Sequence, residues 1–243
     1  MIYGGGRWLV MAKVGLLYWM HSLEGGTMRY LIASDIHGAL PAAEALMERF
    51  REEGADRLLL LGDLLYHGPR NPLPTGYAPA EVARLLNRYA DRITAVRGNC
   101  EAEVDQMMLD FPCLGDYTLV VDESTTLLLT HGHLNLGTVV AGLPAGSFVF
   151  SGHSHIKGIG PQAAPAFVRD AASFPGSRRA GDSADDGRRD SEGGGGGVTG
   201  ECGGSDGPAP AITFVNPGSI GHPKDGSASY ALYERGAVKL HML

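Results

Sequence analysis

The chain has 243 residues, 44% of them apolar, and a formal net charge of −7. That suits one domain with a substantial core, and it argues against a broad basic surface for stable binding to nucleic acid or an anionic membrane. Cys100, Cys113 and Cys202 show no CxxC spacing and leave an odd thiol, so neither a disulfide framework nor a zinc ribbon is indicated, and a reducing cytoplasm is the expected setting.

The opening segment holds an apolar run over 8–20 that is interrupted by Lys13 and is shorter than the ~20 residues a membrane span needs. Three readings of residues 1–27 stay open: a signal peptide, an upstream extension from a misplaced start codon, or a poorly ordered tail. Arg7 favours the first, but no clean small-x-small cleavage site follows. The domain is expected to begin at Met28 and run to residue 243.

Residues 29–34 read as a strand that leads into Asp35. Over 41–50, Ala43, Leu46, Met47 and Phe50 recur at i, i+3, i+4 and i+7, with Pro41 suited to a first helical turn and Gly54 to the stop, which predicts an amphipathic helix. Residues 57–61 form a second apolar run ending at Gly62-Asp63, and 79–89 a second helix with Val82, Leu85, Leu86 and Tyr89 on one face. The third strand is 93–96, delivering Asn99, and a short helix over 101–109 is expected to turn Val104, Met107 and Met108 inward. Short β-like runs come next at 117–121, 126–130, 148–150, 212–215, 230–233 and 238–241, separated by turns. A βαβα first half joined to a β-rich second half predicts an α/β fold, a four-layer αββα sandwich of two mixed sheets flanked by helices.

Residues 161 to about 210 break that texture. They are rich in Gly, Ser, Asp, Arg and Pro, include five consecutive glycines at 193–197, and hold almost no large apolar residue after Phe174. Such a stretch cannot build a core and reads as a flexible insertion within the domain. Lengthening a loop tenfold costs only about 2 kcal/mol of closure entropy, so the fold tolerates it. The glycine run precedes no convincing helix and is not a P-loop.

Chemistry-bearing residues cluster at the ends of the apolar runs: Asp35-Ile-His37, Gly62-Asp63, Gly98-Asn99, His131-Gly-His133 and Gly152-His153-Ser-His155. Any one alone is as readily a turn or a surface residue. An ordered set at successive strand ends gathers hard and borderline donors along one sheet edge, where they can converge on two divalent cations with Asp63 suited to bridge them. Oxygen and imidazole donors without thiolate suit Mn²⁺, Fe²⁺ or Zn²⁺, and several imidazoles argue against a Mg²⁺ or Ca²⁺ cage. Gly38, Gly62, Gly98, Gly132 and Gly152 are expected to let the backbone turn sharply or approach the site closely.

Together with His67-Gly-Pro-Arg70-Asn71, Gly76-Tyr77-Ala-Pro-Ala80, Arg97-Gly-Asn-Cys100-Glu, Glu103-Val-Asp-Gln106-Met107 and Asn216-Pro-Gly-Ser219, these motifs give a chain that resembles a calcineurin-like metallophosphoesterase. Within that superfamily it resembles the small bacterial YfcE-like phosphodiesterases, from about residue 28 to 160 and again from about 211. The resemblance implies one metal held by Asp35, His37, Asp63 and His155, and a second held by Asp63, Asn99, His131 and His153. It implies Mn²⁺ first, with Zn²⁺, Fe²⁺ or Ni²⁺ as alternatives, and a metal-bridging hydroxide attacking a small phosphodiester. Phosphomonoesterase or nucleotide pyrophosphohydrolase activity is the alternative within the class. Noncatalytic scaffold proteins that keep this fold have altered ligand sets, whereas all seven positions here retain coordinating groups. A homo-oligomer stays open.

Asp63, Asn99, His131 and His133 make up the expected catalytic set. Strand alternation brings His133 to the side of His131, where substrate contact and structural hydrogen bonding remain alternatives. Cys100 stands where many phosphomonoesterases of the superfamily have a histidine to protonate the leaving oxygen. A thiol is a poor substitute for an imidazolium, which favours diesters and activated esters, unless Cys100 is only a small buried residue. His67 and Arg70, in the loop after Asp63, are placed to meet the second phosphate substituent, with a surface-loop role as the alternative. His21, His222 and His241 carry no functional assignment.

Overall fold

Period-two patterning of the strands decides the layering. In β1 (Arg29–Ala33) and β2 (Arg57–Leu60), Leu31, Ala33, Leu58 and Leu60 face one apolar cluster while Tyr30, Ile32 and Leu59 face another. Strands buried on both faces belong at the centre of a layered domain. The computed structural model describes residues 28–169 and 212–243; the opening segment and most of the expected insertion lie outside the described residues.

The first sheet has the order β10-β9-β1-β2-β3, where β3 is Ile93–Ala95, β9 Ser229–Glu234 and β10 Ala237–Met242. Strands β1, β2 and β3 run parallel, and β9 returns antiparallel to β1. The second sheet has the order β4-β5-β6-β8-β7, with β4 Tyr117–Asp122, β5 Thr125–Thr130, β6 Phe148–Ser151, β7 Gly158–Ile159 and β8 Thr213–Asn216. Here β5, β6 and β8 are parallel.

Helices α1 (Leu40–Glu52) and α2 (Pro79–Asn87) cover the outer face of the first sheet. The predicted stripe Ala43, Leu46, Met47 and Phe50 is buried, and each large side chain so removed from water contributes ~1.5–3 kcal/mol. Leu61, Val96, Leu127, Leu129, Phe150 and Val215 fill the space between the sheets. A thinner layer covers the far face, where Val140 of α4 (Gly137–Ala141) and Val168 of α5 (Ala166–Arg169) pack with Leu128 and Val149. The αββα sandwich is as expected, although the two short outer helices carry too few residues to announce themselves by periodicity.

Two expectations are corrected. Helix α3 (Glu103–Met108) forms, but Val104, Met107 and Met108 are 59%, 86% and 38% exposed. The helix is anchored by polar groups instead: the Asp105 carboxylate accepts the Ala102 N–H at 2.8 Å, and the Gln106 side chain bonds to Leu109 O, Phe111 O and Cys113 N. The structured domain also continues past residue 160, because Ala163 and Ala164 are buried and α5 comes next. Small apolar residues there do what the composition of the surrounding stretch concealed. No helix among the described residues is long and apolar enough to cross a membrane.

Candidate metal centre

The parallel strands of both sheets deliver their carboxyl ends to one place, the position where ligands collect in open α/β sheets. β1 leads into Asp35 and His37, β2 into Asp63, β3 into Asn99, β5 into His131, and β6 into His153 and His155. Hydrogen bonding continues past the strands and laces these loops together: Asp35 N to Gly62 O at 3.0 Å, His37 N to Asp63 O at 2.9 Å, and Gly152 N to His131 O at 3.0 Å.

Five of the seven residues adopt left-handed backbone, with φ of +58° at Asp35, +53° at His37, +56° at Asp63, +66° at His153 and +60° at His155. Left-handed conformation costs a non-glycine residue roughly 1 kcal/mol or more and persists only where the surroundings impose it. Closeness enforces it here. A Cβ on Gly98 would stand 2.1 Å from Asp63 Oδ1, and one on Gly152 would stand 1.9 Å from Ser34 Oγ and 2.7 Å from Asp35 Oδ2.

The imidazoles are oriented by their outer nitrogens. Nδ1 of His37 bonds to Tyr66 O at 2.8 Å, Nδ1 of His131 to Leu61 O at 2.7 Å, and Nδ1 of His155 to His222 O at 2.8 Å. A carbonyl can only accept, so each Nδ1 carries the proton and each Nε2 presents a lone pair to the interior. There His37 Nε2 and His155 Nε2 lie 3.3 Å apart, His131 Nε2 is 3.1 Å from Asn99 Oδ1, and His153 Nδ1 is 3.3 Å from His131 Nε2.

Each carboxylate divides its two oxygens the same way. Asp63 Oδ1 accepts the Cys100 N–H at 2.9 Å, while Oδ2 faces His131 Nε2 at 3.5 Å and His37 Nε2 at 3.8 Å. Asp35 Oδ2 accepts the His153 N–H at 3.1 Å, while Oδ1 lies 3.1 Å from His155 Nε2, is fully buried and has no hydrogen-bond donor. Lone pairs pointed at lone pairs repel unless a cation lies between them. The donor set therefore fits divalent metal, and two buried triads, Asp35–His37–His155 and Asp35–Asp63–His131, have ligand atoms within 4.8 Å of one another.

Without metal a proton fills that role. Burial works against the charge on His131, but Asp35 and Asp63 outweigh it and raise the pKa to about 9. Burial also opposes ionisation of Asp35 and Asp63, yet His131 and its fellow imidazoles hold both below the usual carboxylate range, Asp35 well below. Burial with His131 and His153 as neighbours drives His133 down to about 4.

All seven proposed ligands are brought together. His133 packs edge-on against the His131 ring at a centroid distance of 5.3 Å. Cys100 and Arg70 border a cavity of about 340 Å³ together with Asp63, Asn99, His153 and His155. Burial and the Asp63 charge push the Cys100 thiol up, so it is protonated at neutral pH. His67 does not border the cavity; its ring lies between Tyr66 and Tyr77, at 4.7 and 5.3 Å. The loop after Asp63 turns that side chain onto aromatic neighbours, the arrangement of the surface-loop alternative.

Three contributions escape a reading of the sequence alone. The Glu101 carboxylate accepts the N–H groups of Asp63 at 2.8 Å, Leu64 at 2.7 Å and Gly98 at 2.5 Å, clamping two ligand loops together. Burial, with Asp63 nearby, lifts it to about 7. Asn216, at the end of β8, donates to Gly152 O at 2.8 Å and Ser154 Oγ at 3.0 Å, and Ser219 Oγ donates to Asp35 O at 2.9 Å. Lys224 also borders the cavity. Two of these, Glu101 and the Asn216–Ser219 segment, sit in segments that carried the resemblance, but their work is on backbone groups far away in sequence.

A sandwich of two mixed sheets with carboxylate, amide and imidazole donors at the parallel strand ends defines a metallophosphoesterase. The profile of the calcineurin-like phosphoesterase superfamily domain matches residues 28–177, and the chain belongs to that superfamily. It is 50% identical over 129 residues to the phosphodiesterase YfcE of Escherichia coli K12, an overlap covering 53% of this chain and 70% of that one. The solved E. coli YfcE phosphoesterase superposes with a TM-score of 0.61 at 36% identity, over 86% of this chain and 89% of that chain. A novel archaeal phosphodiesterase, at 16% identity and a TM-score of 0.51 over 89% of this chain and all of that chain, shares the fold.

Proposed function

We propose that the protein is a binuclear, Mn²⁺-preferring phosphodiesterase that hydrolyses a small phosphodiester. The observation that carries this reading is the Asp63 carboxylate: one oxygen is tied to backbone, and the other faces an imidazole of each half-site. Asp35, His37, Asp63 and His155 would hold one cation, and Asp63, Asn99, His131 and His153 the other. Two such cations, when bound, lower the pKa of a shared water and screen the charge that develops on the phosphate oxygens.

The chain's own groups select the ester. Cys100 is a protonated thiol too weak to deliver a proton in step with bond breaking, so leaving groups must depart with little help, which favours diesters and activated esters over alkyl monoesters. His133 is neutral at pH 7 and contributes a hydrogen bond to the phosphate or water without adding charge. Arg70 borders the cavity as a cation for the substrate. The E. coli relative's name as a phosphodiesterase supports the diester preference. The free thiols of Cys100 and Cys113 support a cytoplasmic setting.

The test is hydrolysis of bis-p-nitrophenyl phosphate by metal-stripped protein with Mn²⁺ added back, beside p-nitrophenyl phosphate at equal metal. Turnover restored by Mn²⁺ and favouring the diester supports the reading. Faster cleavage of the monoester, or turnover without metal, contradicts it.

A further inference from the structure

The cavity over the cluster has a feature that cleavage of a plain diester does not require. Arg70 and Lys224, from segments far apart in sequence, both border it. Neither pairs with an acidic side chain among the described residues. Lys224 adjoins Asp225, but that carboxylate is committed to Lys157, with Oδ1 2.9 Å from Nζ and Oδ2 accepting the Lys157 N–H at 2.7 Å. In a chain of net charge −7, acids were available to neutralise both cations.

The backbones that carry the two side chains are held against the centre. The Lys224 N–H donates to His155 O at 3.1 Å. Arg70 belongs to a turn in which Asn71 Nδ2 donates to His67 O at 2.9 Å, and Gly68, at φ +81°, packs so closely that a Cβ there would lie 3.3 Å from Cys100 Sγ. Both side chains themselves are exposed, free to close on a ligand.

We infer that the diester cleaved here carries a second anionic group, a phosphate or carboxylate, gripped by Arg70 and Lys224. The inference rests on the phosphodiesterase reading. A diester phosphate has a single negative charge, which would already balance two divalent cations held by two aspartates and a bridging hydroxide. Two further cations beside them make a field that a monoanionic substrate leaves unsatisfied, whereas a second anion answers it. A guanidinium offers a fork of donors and an ammonium a mobile point charge, a pair suited to the oxygens of phosphate or carboxylate. A cavity of about 340 Å³ admits a moiety of mononucleotide size.

The experiment compares the p-nitrophenyl ester of thymidine 5′-phosphate with the same ester carrying a 3′-phosphate, on Mn²⁺-loaded protein. Wild type is expected to prefer the 3′-phosphorylated ester by about tenfold in kcat/KM, mainly through KM. Calorimetry should show a matching preference for thymidine 3′,5′-bisphosphate over thymidine 5′-phosphate. Lys224→Gln and Arg70→Gln should each erode the preference, the double variant should abolish it, and Lys224→Arg should retain it. Equal kcat/KM for the two esters in wild type, or a preference that survives in the double variant, overturns the proposal alone. Cleavage of neither ester overturns the phosphodiesterase reading and the proposal with it.

Discussion

Left-handed backbone at non-glycine residues occurs at both ends of the sandwich, for opposite reasons. At one end Glu123 has φ +53° in the β4–β5 turn, and Arg235 has φ +50° before Gly236 at φ +72° in the β9–β10 turn. The latter pair is the primed turn that suits twisted hairpins, where positive φ is a local solution. At the other end Asp35, His37, Asp63, His153 and His155 hold similar angles, but between neighbouring loops with carboxylates and imidazoles turned inward. Strain in the hairpins is a property of two residues. Strain at the centre is shared among five residues on three loops, and relieving it anywhere moves a donor atom.

That comparison is open to breaking by mutation. The largest expected effect is from Gly98→Ala, whose methyl would collide with the Asp63 carboxylate; hydrolysis of bis-p-nitrophenyl phosphate should fall at least about 100-fold, since small displacements of reacting groups are that costly. Asn216→Ala comes next. It removes two hydrogen bonds behind the His153 turn and should weaken metal binding ~10-fold, the lower range for a lost support of a ligand, as read by competition with a chelating dye. By contrast Glu123→Gly should change stability by no more than about 1 kcal/mol and leave turnover unaltered, because it relieves left-handed strain at an exposed turn. An equal loss of activity at both ends would break the distinction.

The pH dependence of stability sharpens it further. Burial opposes the charge on His131, but Asp35 and Asp63 prevail and raise its pKa from 6.5 to about 9. The folded metal-free protein thus binds more protons than the unfolded chain across this window, and the resulting stability is present below pH 6.5 and lost as pH rises through about 9. Tm of the stripped protein should therefore fall between pH 7 and about 9. With Mn²⁺ saturating, the slope should flatten or reverse, since metal takes the proton's place and binds more tightly as protons leave. Deletion of residues 172–209, bridged by a short Gly-Ser linker, should leave Tm within a few degrees, because Val168 and Ile212 that flank the segment already pack in the outer core.

How much was legible depends on the same physics. Asp35, Asp63, Asn99, His131, His153 and His155 could be found because each lies just past an apolar run, and the strand that buries the run also aims the loop beyond it. The amphipathic stripe of α1 was legible for the same reason, its burial and its period agreeing. Helix α3 was misjudged because its apolar residues satisfy a helical period without any neighbour to cover them, while Asp105 and Gln106 secure it through backbone groups. Glu101 and Asn216 left no periodic trace, since their partners are N–H and C=O groups 37 and 64 residues away. His67 and Arg70 were placed together by one loop, yet the loop's turn sends one side chain against tyrosines and the other to the cavity. Residues 161–169 were hidden because the Gly- and Ser-rich stretch beyond them dominates the local composition.

Everything proposed for the chemistry depends on Asp63 joining two metal sites. The most direct measurement is the number of Mn²⁺ ions bound per chain, by equilibrium dialysis with elemental analysis, for the wild type and for Asp63→Asn. Two ions are expected in the wild type and at most one in the variant, with loss of turnover. A single ion in the wild type, or two in both proteins with turnover retained, would contradict the bridging role.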